Sequence, residues 1–349
     1  MIDHFQPAPT APAGRWARLL DVTLRDGGFE VDFHWPADHF TLVPATSHAA
    51  GVEIVELGYL GGVPLDHSVA RAGVGAYVTP AQVAAAAHDE HGLAAMVHPT
   101  ALADPLDLEP YAMAGLDMVR LVYHPSWTAD IAAVATQAHQ LDLTVAINIA
   151  MASRYSTREI AQHAARITDT AGPDLLYLAD TCSSLRPGQV TELVTSVRDA
   201  VGPHFEIGFH AHDFLNLAYA NALAAVEAGA TWIDCSLLGL GRGGGNLAAE
   251  PLLLAHRLPA ADPAAAELLL KCRAALAATT GQLAPSLVPA VCAALNLTPV
   301  EEQALRTFAA HEHLRPDQAA LWLLTHTRGL PTLRTADLHT HWHDTMAVA

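Results

Sequence analysis

The chain has 349 residues, 51% of them hydrophobic, and a formal net charge of −18 from 36 acidic and 18 basic side chains. That length and apolar content exclude general disorder and allow one large domain with an appendage. The acidic balance argues against nucleic acid and anionic membranes as partners, and no apolar run reaches the roughly 18 residues that a membrane span needs.

Residues 1–17 contain Pro and Ala but neither a basic start nor an apolar core, and are expected to form a flexible arm, not a signal peptide. Short apolar runs then alternate with Ala-rich helical stretches. The candidate strands are LLDVTL (19–24), VEIVEL (52–57), LAAMVH (93–98), MVRLVY (118–123), LTVAIN (143–148), LLYLAD (175–180), EIGFHAH (206–212) and WIDCSLL (232–238). Between them lie helix-like segments such as TPAQVAAAAHDEHG, TADIAAVATQAHQLD, STREIAQHAARITDTAG and LNLAYANALAAVEAGA. Several open on Thr or Ser and close on Gly or Asp, as helix boundaries do. Eight strands alternating with helices over 18–257 predict an α/β fold, a (β/α)8 TIM barrel. A doubly wound open sheet is the competing arrangement, but no GxGxxG follows the first strand. Beyond that point only helical segments remain, giving a C-terminal helical extension over 258–338 and a tail at 339–349. The HTHWHD of the tail reads as a solvated end. Cys182, Cys235, Cys272 and Cys292 form no CxxC pair, which points to reduced thiols in a cytoplasmic protein.

Catalytic groups of such a barrel gather where its strands end. Those ends carry Arg25 and Asp26 after the first strand, His98 after the third, His124 after the fourth and Asn148 at the fifth. Asp180 follows at the sixth, His210 and His212 at the seventh, and the glycine loop GLGRGGGNLAAE (239–250) after the eighth. His210 and His212 share one face of their strand. Such an HxH pair is common in a chain with 21 histidines, but with the Asp26 carboxylate across the mouth it makes a facial site for a divalent cation such as Mn, Mg, Fe or Zn. Arg25 beside that carboxylate offers a fixed cation to an oxygen gaining negative charge; the competing role is an Arg–Asp pair that pins the barrel mouth. Gly27 and Gly28 are expected to let the backbone turn sharply and a ligand approach. The glycine loop reads as mobile, with backbone N–H groups for a carboxylate or phosphate; without a GK[ST] ending it is no P-loop. Asp180 and Asn148 are expected to contact substrate.

Together, DVTLRDGG, FHAHD and GLGRGGGNLAAE resemble the DRE-TIM metallolyase superfamily. That superfamily contains 4-hydroxy-2-oxovalerate aldolases, hydroxymethylglutaryl-CoA lyases, and the isopropylmalate and homocitrate synthases. The resemblance spans about residues 19–255, and MVRLVYHPSWTAD is similar to the fourth-strand segment of the hydroxy-oxovalerate aldolases. It implies Asp26, His210 and His212 as metal ligands, with Asn246 completing or supporting the site. It also implies Mn or Mg as the cation, with Zn, Fe or Co as alternatives, and Arg25 as the group that stabilises an enolate. A homodimer is implied at the family level, and related aldolase–dehydrogenase complexes suggest a partner dehydrogenase.

The sequence also departs from that pattern. The aldolases carry a catalytic His three residues after the metal-binding Asp, where this chain has Phe29. Their C-terminal Tyr has no counterpart beyond Tyr219, and the lyases' Cys is absent from the last glycine loop. The proton shuttle must therefore be reassigned, with His124, His34, Glu30 and Asp180 as candidates and His124 favoured by its place at a strand end. The leading reading is a divalent-metal aldolase making or breaking a C–C bond beside a 2-oxo acid such as pyruvate, with an aldehyde partner. Two readings compete with it. One is a Claisen-type acyl-CoA synthase or lyase, disfavoured by the overall acidity and by Lys271 being the sole lysine. The other is a noncatalytic scaffold or dehydrogenase-partner subunit.

Overall fold

The computed structural model describes residues 16–63, 72–87, 91–99, 106–257, 263–326, 330 and 333–346. The expected N-terminal arm lies outside the described residues except for Trp16 and Ala17, and Ala17 is already buried. The first half of the alternation runs β1 (Arg18–Asp21), α1 (His39–Ala49), β2 (Ile54–Leu60), α2 (Pro80–Ala86), β3 (Gly92–Val97), α3 (Glu109–Met113), β4 (Met118–Tyr123) and α4 (Thr128–Gln140). The second half runs β5 (Thr144–Ile149), α5 (Thr157–Ala171), β6 (Leu175–Asp180), α6 (Pro187–Val201), β7 (Glu206–Ala211), α7 (Ala218–Glu227), β8 (Trp232–Cys235) and α8 (Ala249–His256). The strands are parallel and close on themselves in chain order, β1 pairing with both β2 and β8. This is the expected (β/α)8 barrel.

The strands are continuous apolar runs because each is covered on both faces, by helices outside and by the other strands' side chains inside. β4 and β6 match the expected segments to the residue, whereas β1 stops at Asp21 and β8 at Cys235. The backbone N–H of Asp26 donates to the Val22 carbonyl at 2.8 Å, so the chain is already turning where the strand was expected to continue.

Alternation of side chains sorts the interior into layers. Leu20, Val22, Ile54, Ala94, Met118, Ala146, Leu175, Tyr177 and Trp232 form an apolar cluster. Two residues further along their strands stand Glu56, Arg120 and Asp234, all buried. Arg120 donates from one terminal nitrogen to Glu56 at 2.8 Å and from the other to Asp234 at 2.7 Å, and its guanidinium lies 4.1 Å from the centre of the Tyr177 ring. Burial opposes the charge on Arg120, and Asp234 and Glu56 more than offset it. This charged layer is the floor of the strand ends described next.

A second unit comprises residues 49–51 and the chain from Glu250 onward. Its described helices after α8 are α9 (Pro263–Thr280), α10 (Val288–Ala294), α11 (Pro299–His311), α12 (Pro316–Thr325) and α13 (Thr335–Met346). Phe308 of α11 packs against Trp322 of α12 and Trp342 of α13, with ring centres 5.2 and 6.0 Å apart. The Glu250 carboxylate receives Arg273 Nε at 2.8 Å. HTHWHD, expected as a solvated end, lies inside α13: Thr340, His343 and Asp344 are exposed, while His339 and His343 both meet the Glu312 carboxylate and His341 reaches the His326 carbonyl at 2.7 Å. An amphipathic turn with a Trp at its centre has a hydrophobic reason to pack that the run of histidines conceals. Among the described residues none of the four cysteines forms a disulfide, and no helix is long and apolar enough to cross a membrane.

Candidate active site

The turn after β1 carries Arg25 and Asp26 into the barrel mouth. Gly28 is required there for close packing: a Cβ on it would stand 2.4 Å from the Phe33 ring, and one on Gly27 would stand 2.8 Å from Leu240 Cβ. These glycines seat the turn against its own chain. Arg25 is pinned from two sides. Its Nε donates to Glu56 at 2.7 Å and its terminal nitrogen donates to Asp26. Burial works against the guanidinium charge, and Glu56 and Asp26 reverse it, so Arg25 is held more strongly protonated than an ordinary arginine. Burial likewise works to raise the Asp26 carboxyl, and Arg25, His210, His212 and Arg242 hold it below the usual carboxylate range. Asp26 is therefore anionic.

The imidazoles of His210 in β7 and of His212 just beyond its end face this carboxylate. Nδ1 of His210 donates to the Asp234 carboxylate at 2.9 Å, and Nδ1 of His212 donates to the Arg242 carbonyl at 3.1 Å. Each Nε2 then carries a lone pair, and the two stand 3.3 Å apart. Burial, followed by the neighbouring His210, pushes the His212 imidazole down to about 4, so it is neutral at ordinary pH. Two facing lone pairs beside a buried carboxylate repel one another unless a cation lies between them. Ligand atoms of Asp26, His210 and His212 all lie within 4.8 Å of one another, and Asp26 Oδ2 has no hydrogen-bond partner. Imidazoles whose outer nitrogens are held by a carboxylate and a carbonyl are the usual support for metal-ligating histidines. The residues present fit a divalent ion.

Asn246 is placed beside His212 by an antiparallel bridge between their backbones. Its Nδ2 donates to the Leu240 carbonyl at 3.0 Å while its buried Oδ1 is unpaired. A Cβ on Gly241 would stand 2.4 Å from that amide, so the loop needs glycine where the Asn folds back. The expected mobile loop is instead tied down, with Asn246 N donating to the Gly239 carbonyl at 2.9 Å and Leu247 N to the Ala211 carbonyl at 3.0 Å.

The cavity above these groups is about 150 Å³ and is lined by Arg25, Asp26, Asn148, His210, His212 and Arg242 among its polar side chains, with Tyr59, His98 and Thr181. Asn148 is thus where the sequence placed it, with its Oδ1 unpaired. His124 and Asp180 are not, and both expectations are corrected. His124 is exposed, its Nδ1 accepting from Ser126 N at 3.2 Å, because the strand ends at Tyr123 and Pro125 turns the chain away. Asp180 has the wrong parity. Tyr177, Ala179 and Thr181 face inward, so Asp180 faces outward and accepts the N–H groups of Ser184 and Leu185 at 3.1 and 3.0 Å. Glu30 and His34 are exposed and do not line the cavity.

Sequence reasoning missed Arg242 and Tyr59 as site residues and gave His98 no role. Arg242 was visible as the one positive charge in the glycine loop. Tyr59 was not visible, because the β2–β3 pairing slips between Glu56 and Tyr59 and turns inward a residue that simple alternation would send out. Burial raises the Tyr59 hydroxyl above its ordinary value and lowers the His98 imidazole below its own.

The HMGL-like family profile matches residues 17–267, most of the chain. The chain belongs to the HMGL-like family. Its relatives include 4-hydroxy-2-oxovalerate aldolase 2 of Nocardia farcinica, 32% identical over 243 residues, 69% of this chain and 68% of that protein. The 4-hydroxy-2-oxovalerate aldolase of Brevibacillus brevis is 31% identical over 67% of this chain and 68% of that protein. Among solved structures, hydroxymethylglutaryl-CoA lyase from Pseudomonas aeruginosa superposes with a TM-score of 0.63 at 21% identity, covering 78% of this chain and 95% of that one, which is a likeness of fold. The DRE-TIM resemblance is borne out. In this HMGL-like chain Phe29 packs on Phe33, with ring centres 4.8 Å apart, and lies beneath the Arg242 guanidinium at 4.1 Å, so the position supplies an apolar plate and no base.

Proposed function

We propose that this protein is a divalent-metal-dependent aldolase that makes or cleaves the C–C bond next to a 2-oxo acid of pyruvate type, with an aldehyde as partner. The observation that carries this reading is the convergence of Asp26, His210 and His212 on one point beside the fixed Arg25 guanidinium. Asp26, His210 and His212 would hold the ion, supported by Asn246, and the oxygen- and nitrogen-rich, thiolate-free set suits Mn or Mg. When bound, such an ion supplies Lewis acidity to the carbonyl oxygen of the 2-oxo acid.

The chain's own groups divide the remaining work. Arg25 points its charge at the oxygen on which negative charge develops as the C–C bond breaks, and its two carboxylate partners prevent it from moving in response. Asn148 offers an amide to the substrate from the wall. His98 is the cavity imidazole outside the proposed ligand set, and burial keeps it neutral at ordinary pH. It is placed to accept the hydroxyl proton in the cleavage direction, the task for which Phe29 has no chemistry. Tyr59, kept protonated by burial, is a hydroxyl donor on the opposite requirement, return of a proton to carbon.

Exchange of pyruvate methyl protons in deuterated buffer tests the reading. We expect exchange that needs the divalent ion and needs no thioester; exchange that appears only with an acyl-CoA moves the protein to the Claisen class. Arg25→Lys is expected to retain the ion and lose roughly a hundredfold in turnover, since an ammonium cannot reproduce the planar fork. Near-normal turnover in that variant removes Arg25 from the mechanism. His98→Ala is expected to lose roughly a hundredfold in aldol cleavage. Because its lowered pKa keeps the imidazole neutral below pH 6.5, the acid limb of the wild-type rate profile should fall below 6.5 and vanish in the variant. A profile unchanged by the substitution assigns the proton elsewhere.

A further inference from the structure

We infer that the carbonyl partner of this enzyme carries a carboxylate of its own, and that Arg242 is the residue that selects it. The inference rests on the aldolase reading above and names the chemical class of the second substrate.

Charge is unevenly distributed in the cavity lining. Among the described residues it holds two guanidiniums, Arg25 and Arg242, against one carboxylate, Asp26. Arg25 is hydrogen-bonded to two carboxylates, Asp26 and Glu56, on the buried side. Arg242 is not. Its Nε stands 4.0 Å from Asp26 Oδ1, beyond hydrogen-bond reach, and half of its side chain is exposed to the mouth. A divalent ion taken up by Asp26, His210 and His212 would engage that carboxylate and leave Arg242 with no anionic partner among the described residues of the lining. A surplus cation at the mouth of a chain with a net charge of −18 is placed to receive an anion.

The guanidinium is also held in position. It lies 4.1 Å from the centre of the Phe29 ring, and Phe29 is in turn wedged edge-on against Phe33. Stacking on an aromatic face leaves the planar fork of N–H donors free at its edge, the geometry for a carboxylate. The backbone carbonyl of the same residue receives His212 Nδ1, so the loop position that presents this fork is tied to the proposed metal cluster. The same cavity is lined by the apolar side chains Val63, Met96 and Val122, suited to a short carbon chain. A single free guanidinium and no lysine in the lining match one carboxylate better than a doubly charged phosphate.

The decisive experiment is a calorimetric titration of the Mn-loaded protein with 2-oxoglutarate and with 2-oxovalerate, equal in length and different only in the distal end. We expect 2-oxoglutarate to bind about tenfold more tightly, the size of one charge-assisted, partly solvated pair. The ratio should collapse toward unity in Arg242→Gln and be largely restored in Arg242→Lys. Phe29→Leu removes the plate and leaves every charge in place; a positioning role for Phe29 predicts a ratio lowered at least about threefold. Equal affinities in the wild type, or a preference that survives Arg242→Gln, overturns the inference. Failure of the aldolase reading looks different: no cleavage of any 4-hydroxy-2-oxo acid, with the binding ratio intact.

Discussion

Asp26→Ala is expected to release the divalent ion and end the C–C chemistry while the barrel stays folded. Of the three clustered groups only Asp26 brings negative charge; the imidazoles are oriented through their Nδ1 atoms by Asp234 and the Arg242 carbonyl. Its Oδ2 is buried and unpaired, and its Oδ1 is the anchor of Arg25. Removing it therefore subtracts one proposed ligand, the site's anionic charge and one of two tethers on the Arg25 guanidinium. Removing a supporting group alone typically weakens metal binding ten- to a hundredfold, so Mn affinity should fall by at least about a hundredfold. Turnover should fall by roughly three orders of magnitude, since Lewis acidity and the preorganised cation act on the same oxygen. Asp26→Asn separates charge from shape and should lose nearly as much. Undiminished Mn binding by Asp26→Asn, measured by titration on protein with an unchanged circular dichroism spectrum, would refute the proposed ligand set.

The second large effect is on stability. Arg120 is buried at the centre of the barrel and holds Glu56 and Asp234 together. Arg120→Met keeps much of the volume but leaves two carboxylates in the interior with fewer counter-charges, a change that costs about 3–5 kcal/mol. The loss should depend on pH. Burial works to raise Asp234, and at present Arg120 and His210 overcome it. Without Arg120, burial gains the upper hand and the folded-state pKa of Asp234 rises above its unfolded value. A group raised in this way favours the folded state below its unfolded pKa and opposes it as pH rises. Urea unfolding should therefore show a larger deficit at pH 8 than at pH 5. A deficit below about 1 kcal/mol at pH 8 would mean that water reaches this layer and that the charges are not isolated from solvent.

The same layer links stability to the site. Glu56 grips Arg25 and Arg120, and Asp234 grips Arg120 and His210, so the groups proposed for catalysis and metal support stand on shared carboxylates. Arg120→Met should accordingly disturb Mn affinity as well as folding. None of the three strand-end motifs, DVTLRDGG, FHAHD and GLGRGGGNLAAE, contains Glu56, Arg120 or Asp234; they lie inside apolar runs that read simply as buried strand.

Much of the architecture was legible without coordinates. Eight apolar runs, each closed by a polar or Gly-rich turn and followed by an amphipathic stretch, define a barrel because covering both faces of a parallel sheet leaves few other arrangements. Asp26, His210 and His212 were legible too, since two residues of spacing places the histidines on one face of a strand whatever else the chain does. Where the reading failed, one residue of register decided the outcome. Asp180 sits at a strand end but on the outer face; His124 has the inward parity but follows the last hydrogen-bonded residue, where a proline turns it out.

The amino-acid order by itself determined the strand sequence, the closed topology and the three side chains that converge on one point, because these follow from periodicities that hold wherever the strand lies. Only the folded chain decided which remaining polar groups face the cavity, because that choice depends on a slipped register at Tyr59, on where each strand stops, and on a glycine loop that carries Arg242 across to Phe29. Those are contacts between segments far apart in sequence, and no local pattern records them.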